Sequence, residues 1–202
     1  MKFNSAPMAF LLTCLLWLPA GGTAQVHYEI PDNGQGTMRV SGTSTLHDWE
    51  MVTHEMTGTA EFVFAPKGKR TLTALQALTF ALEVEDLKSD NKGLDKNAYA
   101  ALMSDRHPCI RYFLSSATVA PAGEGFLLRT RGRLTVAGTT RDIQMDVRAV
   151  VNADASVTCT GAYTLNMTEY GVTPPSFMLG VMKTGELITL DFVVTYAKSA
   201  GV

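Results

Sequence analysis

From Thr37 onward, apolar and polar residues alternate with a period of two, and turn residues interrupt the alternation at fairly regular intervals. That period puts successive side chains on opposite faces of an extended strand. Met38 and Val40 oppose Arg39 and Ser41. Val52, Met56, Gly58, Ala60, Phe62 and Phe64 oppose Thr53, Glu55, Thr57 and Glu61, and after the turn at Pro66-Lys67-Gly68 come Leu72, Ala74, Leu78, Phe80, Leu82 and Val84. A fourth run is carried by Ile110, Tyr112 and Leu114, although Phe113 blurs its phase. Phe126, Leu128, Gly132, Leu134 and Val136 oppose Arg129, Arg131 and Arg133; Ala137-Gly138 turns the chain into Ile143, Met145, Val147 and Ala149. Val157, Cys159, Gly161, Tyr163 and Leu165 make a seventh strand, and Ile188, Leu190, Phe192 and Val194 an eighth.

Eight strands with one apolar and one polar face predict an all-β protein with antiparallel pairing, because a parallel sheet covered by helices would be apolar on both faces. Joined in sequence by short turns, they can close into an up-and-down barrel, which leaves no exposed edge. A two-sheet sandwich satisfies the same periodicity. Strands of about 12 residues, about 40 Å long and tilted by about 40°, would give a barrel about 30 Å tall. One segment departs from the alternation. Residues 95–103 predict a short helix, with Asp95 as N-cap and Pro108 forcing its end. Such an insert either closes one end of the barrel or is a plain crossover. A second irregular stretch, 170–180, holds Pro174-Pro175.

The N-terminus carries a different signal. Lys2, the apolar run 8–18, Pro19 and the small residues Gly22-Thr23-Ala24 match a signal peptide spanning 1–24, cleaved after Ala24. That leaves one barrel domain over 25–202 and implies a periplasmic or secreted protein. A lipoprotein anchor at Cys14 fits poorly, since Thr13 precedes it and half the apolar run follows it. No later stretch reaches the ~18 apolar residues of a membrane-spanning helix. A formal net charge of −2 offers no electrostatic case for nucleic acid. Cys109 and Cys159 remain after processing; an oxidising compartment would permit a disulfide between them, and two isolated strand thiols are the plainer alternative.

By phase, the candidate lining of the interior is Trp49, Val52, His54, Met56, Phe62, Gln76, Leu78, Phe80, Leu82, Tyr112, Leu128, Gly132, Leu134, Met145, Val147, Tyr163, Leu190 and Phe192. Small residues among bulky ones leave room, and methionines make walls able to repack around a guest. An eight-stranded barrel either fills with side chains or holds one ligand, and composition does not choose between them. A bulky substitution at Gly132 is expected to obstruct the interior while the barrel still folds. His54 and Gln76, on the inward phase, need partners there. The cluster His47-Asp48-Trp49 either binds a polar headgroup at the mouth or shapes the turn and plugs the end. Its spacing to His54 gives no fixed metal geometry, and Ser44, His47 and Asp48 are too close in sequence for a triad. The row Arg129, Arg131 and Arg133 is expected to meet Asp142 and Asp146 across strands.

Several segments in order sharpen this picture: Ser41-Gly42-Thr43-Ser44-Thr45-Leu46-His47-Asp48-Trp49, then Leu87-Lys88-Ser89-Asp90-Asn91-Lys92-Gly93-Leu94-Asp95 leading to Met103 and His107-Pro108-Cys109-Ile110. Gly132-Arg133-Leu134-Thr135-Val136-Ala137-Gly138-Thr139-Thr140-Arg141 and Glu169-Tyr170-Gly171-Val172 through Gly185-Glu186 follow. Over about 28–196 the chain thereby resembles the YceI-like family of exported polyisoprenoid-binding proteins. The resemblance implies a lipocalin-like eight-stranded barrel around an apolar cavity, with an isoprenoid lipid or quinone as ligand and partner, no cofactor, and no catalysis. A cavity enzyme acting on an apolar substrate, an isomerase or hydrolase, and a filled structural barrel of the envelope are the alternatives.

Overall fold

The computed structural model describes residues 27–32, 36–66, 70–177 and 182–199. The leader expected over 1–24 lies outside them. The strands are β1 (His27–Glu29), β2 (Thr37–Ser44), β3 (Trp49–Thr53), β4 (Thr57–Phe64), β5 (Leu72–Glu83), β6 (Cys109–Ala122), β7 (Gly125–Val136), β8 (Thr139–Val151), β9 (Val157–Asn166), β10 (Ser176–Phe177) and β11 (Met182–Lys198), with one helix, α1 (Lys92–Leu102).

β4 to β9 follow one another round the wall and β11 comes next. β2 and β1 lie end to end along the far side of β11, pairing with residues 184–193 and 197–198 respectively. β1 also pairs with β4, which closes a ring of eight strands, all antiparallel. The fold is therefore the up-and-down barrel, and the sandwich is set aside. Two of its staves are broken: β1 and β2 form one, β3 and β4 the other. Beside β3, where β5 has already ended, Val52 and Lys88 exchange backbone hydrogen bonds of 2.7 and 2.9 Å and complete the wall.

Turn chemistry fixes the registers. Ala137 and Gly138, at φ 47° and 78°, form the two-residue connection of the β7–β8 hairpin, where positive φ at both positions matches the twist of the strands. The resulting register sets Arg129 opposite Asp146 and Arg133 opposite Asp142, as the charge pattern expects. Bulges alter the phase elsewhere. Glu61 pairs with Ala77 but Phe62 with Leu75, so Gln76 is the extra residue of a β-bulge and is exposed. Leu75 takes the inward place the simple alternation assigns to Ala74.

α1 starts earlier than the sequence suggests. Asn91, not Asp95, is the N-cap, and its carboxamide oxygen accepts hydrogen bonds from the amides of Gly93 (2.8 Å) and Leu94 (3.3 Å). Asp95 instead accepts from the amide and hydroxyl of Ser89 at 2.8 and 2.7 Å, tying the helix to the segment that leads into it. The helix stops at Met103 in the left-handed region (φ 55°), so Pro108 is not what ends it. The Tyr99 hydroxyl donates to the Leu87 carbonyl (2.7 Å), anchoring α1 beside the barrel rim.

At the far end, Tyr28, Phe62 and Tyr196 form a floor. The Phe62 ring meets Tyr28 edge-on at 5.2 Å and Tyr196 at 6.0 Å, and all three rings are buried. Edge-on packing of this kind is the arrangement aromatic pairs prefer.

Candidate functional site: an apolar interior in two chambers

Above that floor the barrel is hollow. An inner chamber of about 130 Å³ is walled by the inward residues of the strands, among them Leu78, Phe80 and Leu82 on β5, Tyr112 on β6, Leu128 and Leu134 on β7, Met145 and Val147 on β8, Tyr163 on β9, and Leu190 and Phe192 on β11. Among the described residues no charged side chain lines it, and the polar residues in its wall, Tyr112, Thr130, Cys159, Tyr163 and Tyr196, turn only apolar surface toward it. An outer chamber of about 360 Å³ lies between α1, the β2–β3 connection and residues 167–175. Leu94, Ala98, Ala101 and Leu102 supply the helix side of it, and Met167, Tyr170 and Val172 the other. The chambers adjoin, sharing Val40, Leu87, Leu102, Val136, Leu165 and Ile188 in their walls. The outer chamber lies beside α1, at the end of the barrel opposite the aromatic floor, and we take that end as the mouth.

The His47-Asp48-Trp49 cluster sits at this mouth in a shaping role. The Ser44 hydroxyl donates to the His47 carbonyl at 2.6 Å and accepts from the amides of Leu46 and His47 at 3.2 Å. Trp49 lies flat against Gly42, donates from Nε1 to the Thr43 carbonyl at 3.2 Å, and lines the outer chamber. His47 lines it too, whereas Asp48 is exposed.

Five residues assigned to the lining by phase stand elsewhere. In β3 the buried residues are Met51 and Thr53, so Val52 faces outward against the Lys88 strand, and His54 is exposed with Nδ1 2.7 Å from the Gly36 carbonyl. The break at residues 54–56 restores the even phase in β4. Gln76 is outside because it is the bulge residue. Met56 is buried in the core, off the chamber, and Phe62 belongs to the floor. Gly132 does face inward, but the Tyr112 ring lies across it, and an added Cβ there would overlap that ring and the Phe113 carbonyl. A bulky residue at Gly132 is therefore expected to disrupt the wall, not merely to obstruct the guest. Leu75 is an inward place that the alternation misses, whereas Thr130 and Cys159, both on the inward phase of their strands, line the chamber without having been assigned to it.

Gly161 is the better site for narrowing the chamber. A Cβ there would lie 2.6 Å from Cζ of Phe192, the far end of a side chain that can swing into the open space. Gly161→Ala should push the Phe192 ring inward, weakening binding of an apolar guest while the denaturant midpoint moves little; equal binding by both proteins would show that Phe192 does not border the guest.

Cys109 and Cys159 are both free and differently placed. Cys109 is partly exposed and its thiol donates to Oε1 of Glu83 at 2.9 Å, which with burial raises its pKa. Cys159 lines the inner chamber, and burial pushes its thiol up to about 12. The thiolate is the reactive form, so Cys159 stays inert at pH 8 and would ionise only on unfolding. In protein lacking residues 1–24, a thiol reagent should label Cys109 alone until denaturant is added. Two labelled thiols in the native state would mean that solvent reaches the chamber freely.

Comparison with known proteins bears on this architecture. The model of the YceI-like domain matches residues 27–196. The chain belongs to the YceI-like family. Solved structures similar to this YceI-like chain include BcnA of Burkholderia cenocepacia, at 14% identity and a TM-score of 0.59 over 78% of this chain and 95% of that one. A polyisoprenoid-binding domain from Saccharophagus degradans, implicated in plant cell wall breakdown, is 9% identical with a TM-score of 0.63, covering 87% of this chain and 99% of that one. The YceI protein of Campylobacter jejuni is 13% identical with a TM-score of 0.52, covering 71% and 82%. At these identities the likeness establishes the shared barrel. No curated protein matches the chain. Among the described residues of this YceI-like barrel, no helix is long and apolar enough to cross a membrane.

Proposed function

We propose that this protein holds an isoprenoid-type lipid or quinone in the interior of its barrel and serves as an exported carrier or reservoir for it. The observation that carries the reading is the apolar interior itself: two adjoining chambers, one mouth, and an inner wall without charged side chains among the described residues. A guest that is long, apolar and nearly uncharged matches such a space, since an ionised group there would lose its hydration with nothing to pair against. Family membership supports the same reading, because a relative of the same fold is a polyisoprenoid-binding domain. The inner chamber is small, near the roughly 150 Å³ of an apolar cavity that takes up benzene. A prenyl chain therefore occupies the outer chamber as well, and Met38 and Met145 in the inner wall supply the flexible side chains that repack around it.

Titration of the purified protein with a prenyl alcohol and with a prenyl quinone tests the reading: saturable binding of at least one at low micromolar concentration is expected, and binding of neither would overturn it. The export half has its own test. The intact mass of the exported protein should begin at Gln25, and a species beginning at a lipidated Cys14 would replace the free carrier with an anchored one. An enzyme in the same cavity has lost its candidate acid–base group, because His54 stands outside the barrel at 2.7 Å from the Gly36 carbonyl.

A further inference from the structure

The barrel wall is not hydrogen-bonded over its full height. β8 and β9 pair from Val151–Val157 to Val147–Gly161, and above that no ladder pair joins them among the described residues. Both strands nevertheless run on to the mouth, each held on its other side. β7 accompanies β8 as far as the pair Val136–Thr139, and β11 accompanies β9 as far as Leu187–Asn166. Neither unpaired edge, 139–146 or 162–166, holds a proline or glycine that would discourage pairing. A closed barrel normally abolishes such edges. What remains is a slot in the wall, continuous with the mouth. At its top the Arg141 side chain donates from Nε to the Glu169 carbonyl at 2.9 Å, a side-chain latch between the ends of the two strands. From Arg141 down to Val147 the slot runs for about 20 Å, at about 3.3 Å per residue.

Behind the slot is the inner chamber. Ile143, Met145 and Val147 on one flank and Tyr163 and Leu165 on the other all line it. Continuing the register of the last pair would set Met145 opposite Tyr163 and, on the outer face, Gln144 opposite Thr164. Met145 and Tyr163 are the partly exposed members of the flanks, whereas the other three are buried. A second split, between β5 and β6 below the pair Thr79–Phe113, lies at floor level. There Leu72, Leu75 and Leu128 are buried and Phe62 of the floor pairs with Leu75, so that split is backed by packed side chains. The meander β6–β7–β8 is paired from end to end within itself, yet it is fastened to its neighbours only at diagonally opposite corners. Resting on the lipid-binding reading above, we propose that the β8–β9 slot is a lateral entrance by which the guest's chain reaches the inner chamber, with Met145 and Tyr163 as its lips and the Arg141–Glu169 hydrogen bond as its latch. Pivoting of the meander about its fastened corners widens the slot, and the flexible Met145 side chain yields to a passing chain. A long apolar chain then moves in sideways, without being threaded tip-first along its whole length.

The test uses protein lacking residues 1–24, in which Trp49 is the sole tryptophan and reports from the outer chamber. Gln144→Cys and Thr164→Cys, both at exposed positions, are combined with Cys109→Ser, and a short bis-maleimide bridges the two thiols over the slot. The control carries a monofunctional maleimide on each thiol. Stopped-flow quenching of Trp49 by a short-tailed prenyl quinone gives the association and dissociation rates. Bridging should slow both by at least about tenfold and leave Kd within about twofold, because a route is closed and the site is not. Arg141→Ala in otherwise unaltered protein should speed both about three- to tenfold, the worth of one hydrogen bond; wild-type rates in that variant would overturn the latch. Association as fast in the bridged protein as in the capped control would overturn the entrance, since the guest would then pass by the end beside α1 alone. Thiols that cap readily yet never bridge would overturn it too, because the two strands would not flank one slot. So would an affinity lost through faster dissociation alone, which would mean that the bridge had disturbed the site. Failure of the capped control to bind the quinone at all is a different result: it sinks the lipid-binding reading, and the entrance with it.

Discussion

Phe62→Ala should lower the free energy of unfolding by about 3–5 kcal/mol, the range for truncating a close-packed core phenylalanine. Phe62 is 4% exposed and stands between Tyr28 and Tyr196, so its removal leaves a void bounded by rings that cannot all collapse into it. Phe80→Ala is the paired comparison. That ring is half-buried and already borders the chamber, so little new cavity surface is created, and the expected cost is below about 2 kcal/mol. Denaturant unfolding at unchanged slope measures both. Binding should respond in the opposite order, with Phe80→Ala altering guest affinity and Phe62→Ala acting through stability alone. Equal costs at the two positions would mean that the chamber is closed in solution and the barrel filled.

The largest effect on binding is expected from Met145→Trp. Met145 is partly buried on β8 and lines the inner chamber, where an indole would occupy the space a guest needs. If it excludes about 60 Å² of guest surface, at about 25 cal/mol per Å² the loss is about 1.5 kcal/mol, or roughly tenfold in Kd. Because the indole enters open space, the cost in stability should stay within the ~1.5 kcal/mol of tolerated hydrophobic swaps. A variant that folds normally and binds as tightly as wild type would exclude the inner chamber as the seat of the guest.

Where the strands run without interruption, the period of two was enough to identify the lining. Leu78, Phe80 and Leu82, the pair Leu128 and Leu134, and Leu190 and Phe192 all stand where alternation puts them, because regular pleating leaves no other choice once one face is apolar. The errors cluster at irregularities that add or drop one residue. The segment Ala74-Leu75-Gln76-Ala77-Leu78 is apolar on both phases, so nothing in it marks Gln76 as the bulge. In β3, Val52 and Thr53 are both β-branched and nearly the same size, and only the pairing of Val52 with Lys88, distant in sequence, decides which faces in. Apart from His47 and Trp49, the outer chamber was illegible for a different reason. It is built by a helix and by the irregular segment 167–175, whose Met167, Tyr170 and Val172 acquire a common face only when the chain has closed into a ring. Family resemblance supplied the hollow barrel, which composition left undecided, but not the residues of the mouth.

Among the described residues, aromatic rings pack across one end of the barrel and the outer chamber lies beside α1 at the other. The content of the barrel is the direct measure of its role. Protein purified under non-denaturing conditions from the cells that make it, then denatured and extracted for mass spectrometry, should release an isoprenoid lipid or prenyl quinone in near-equimolar amount. Recovery of no lipid, from protein that also fails to take up prenyl alcohols or quinones when they are offered, would contradict the account.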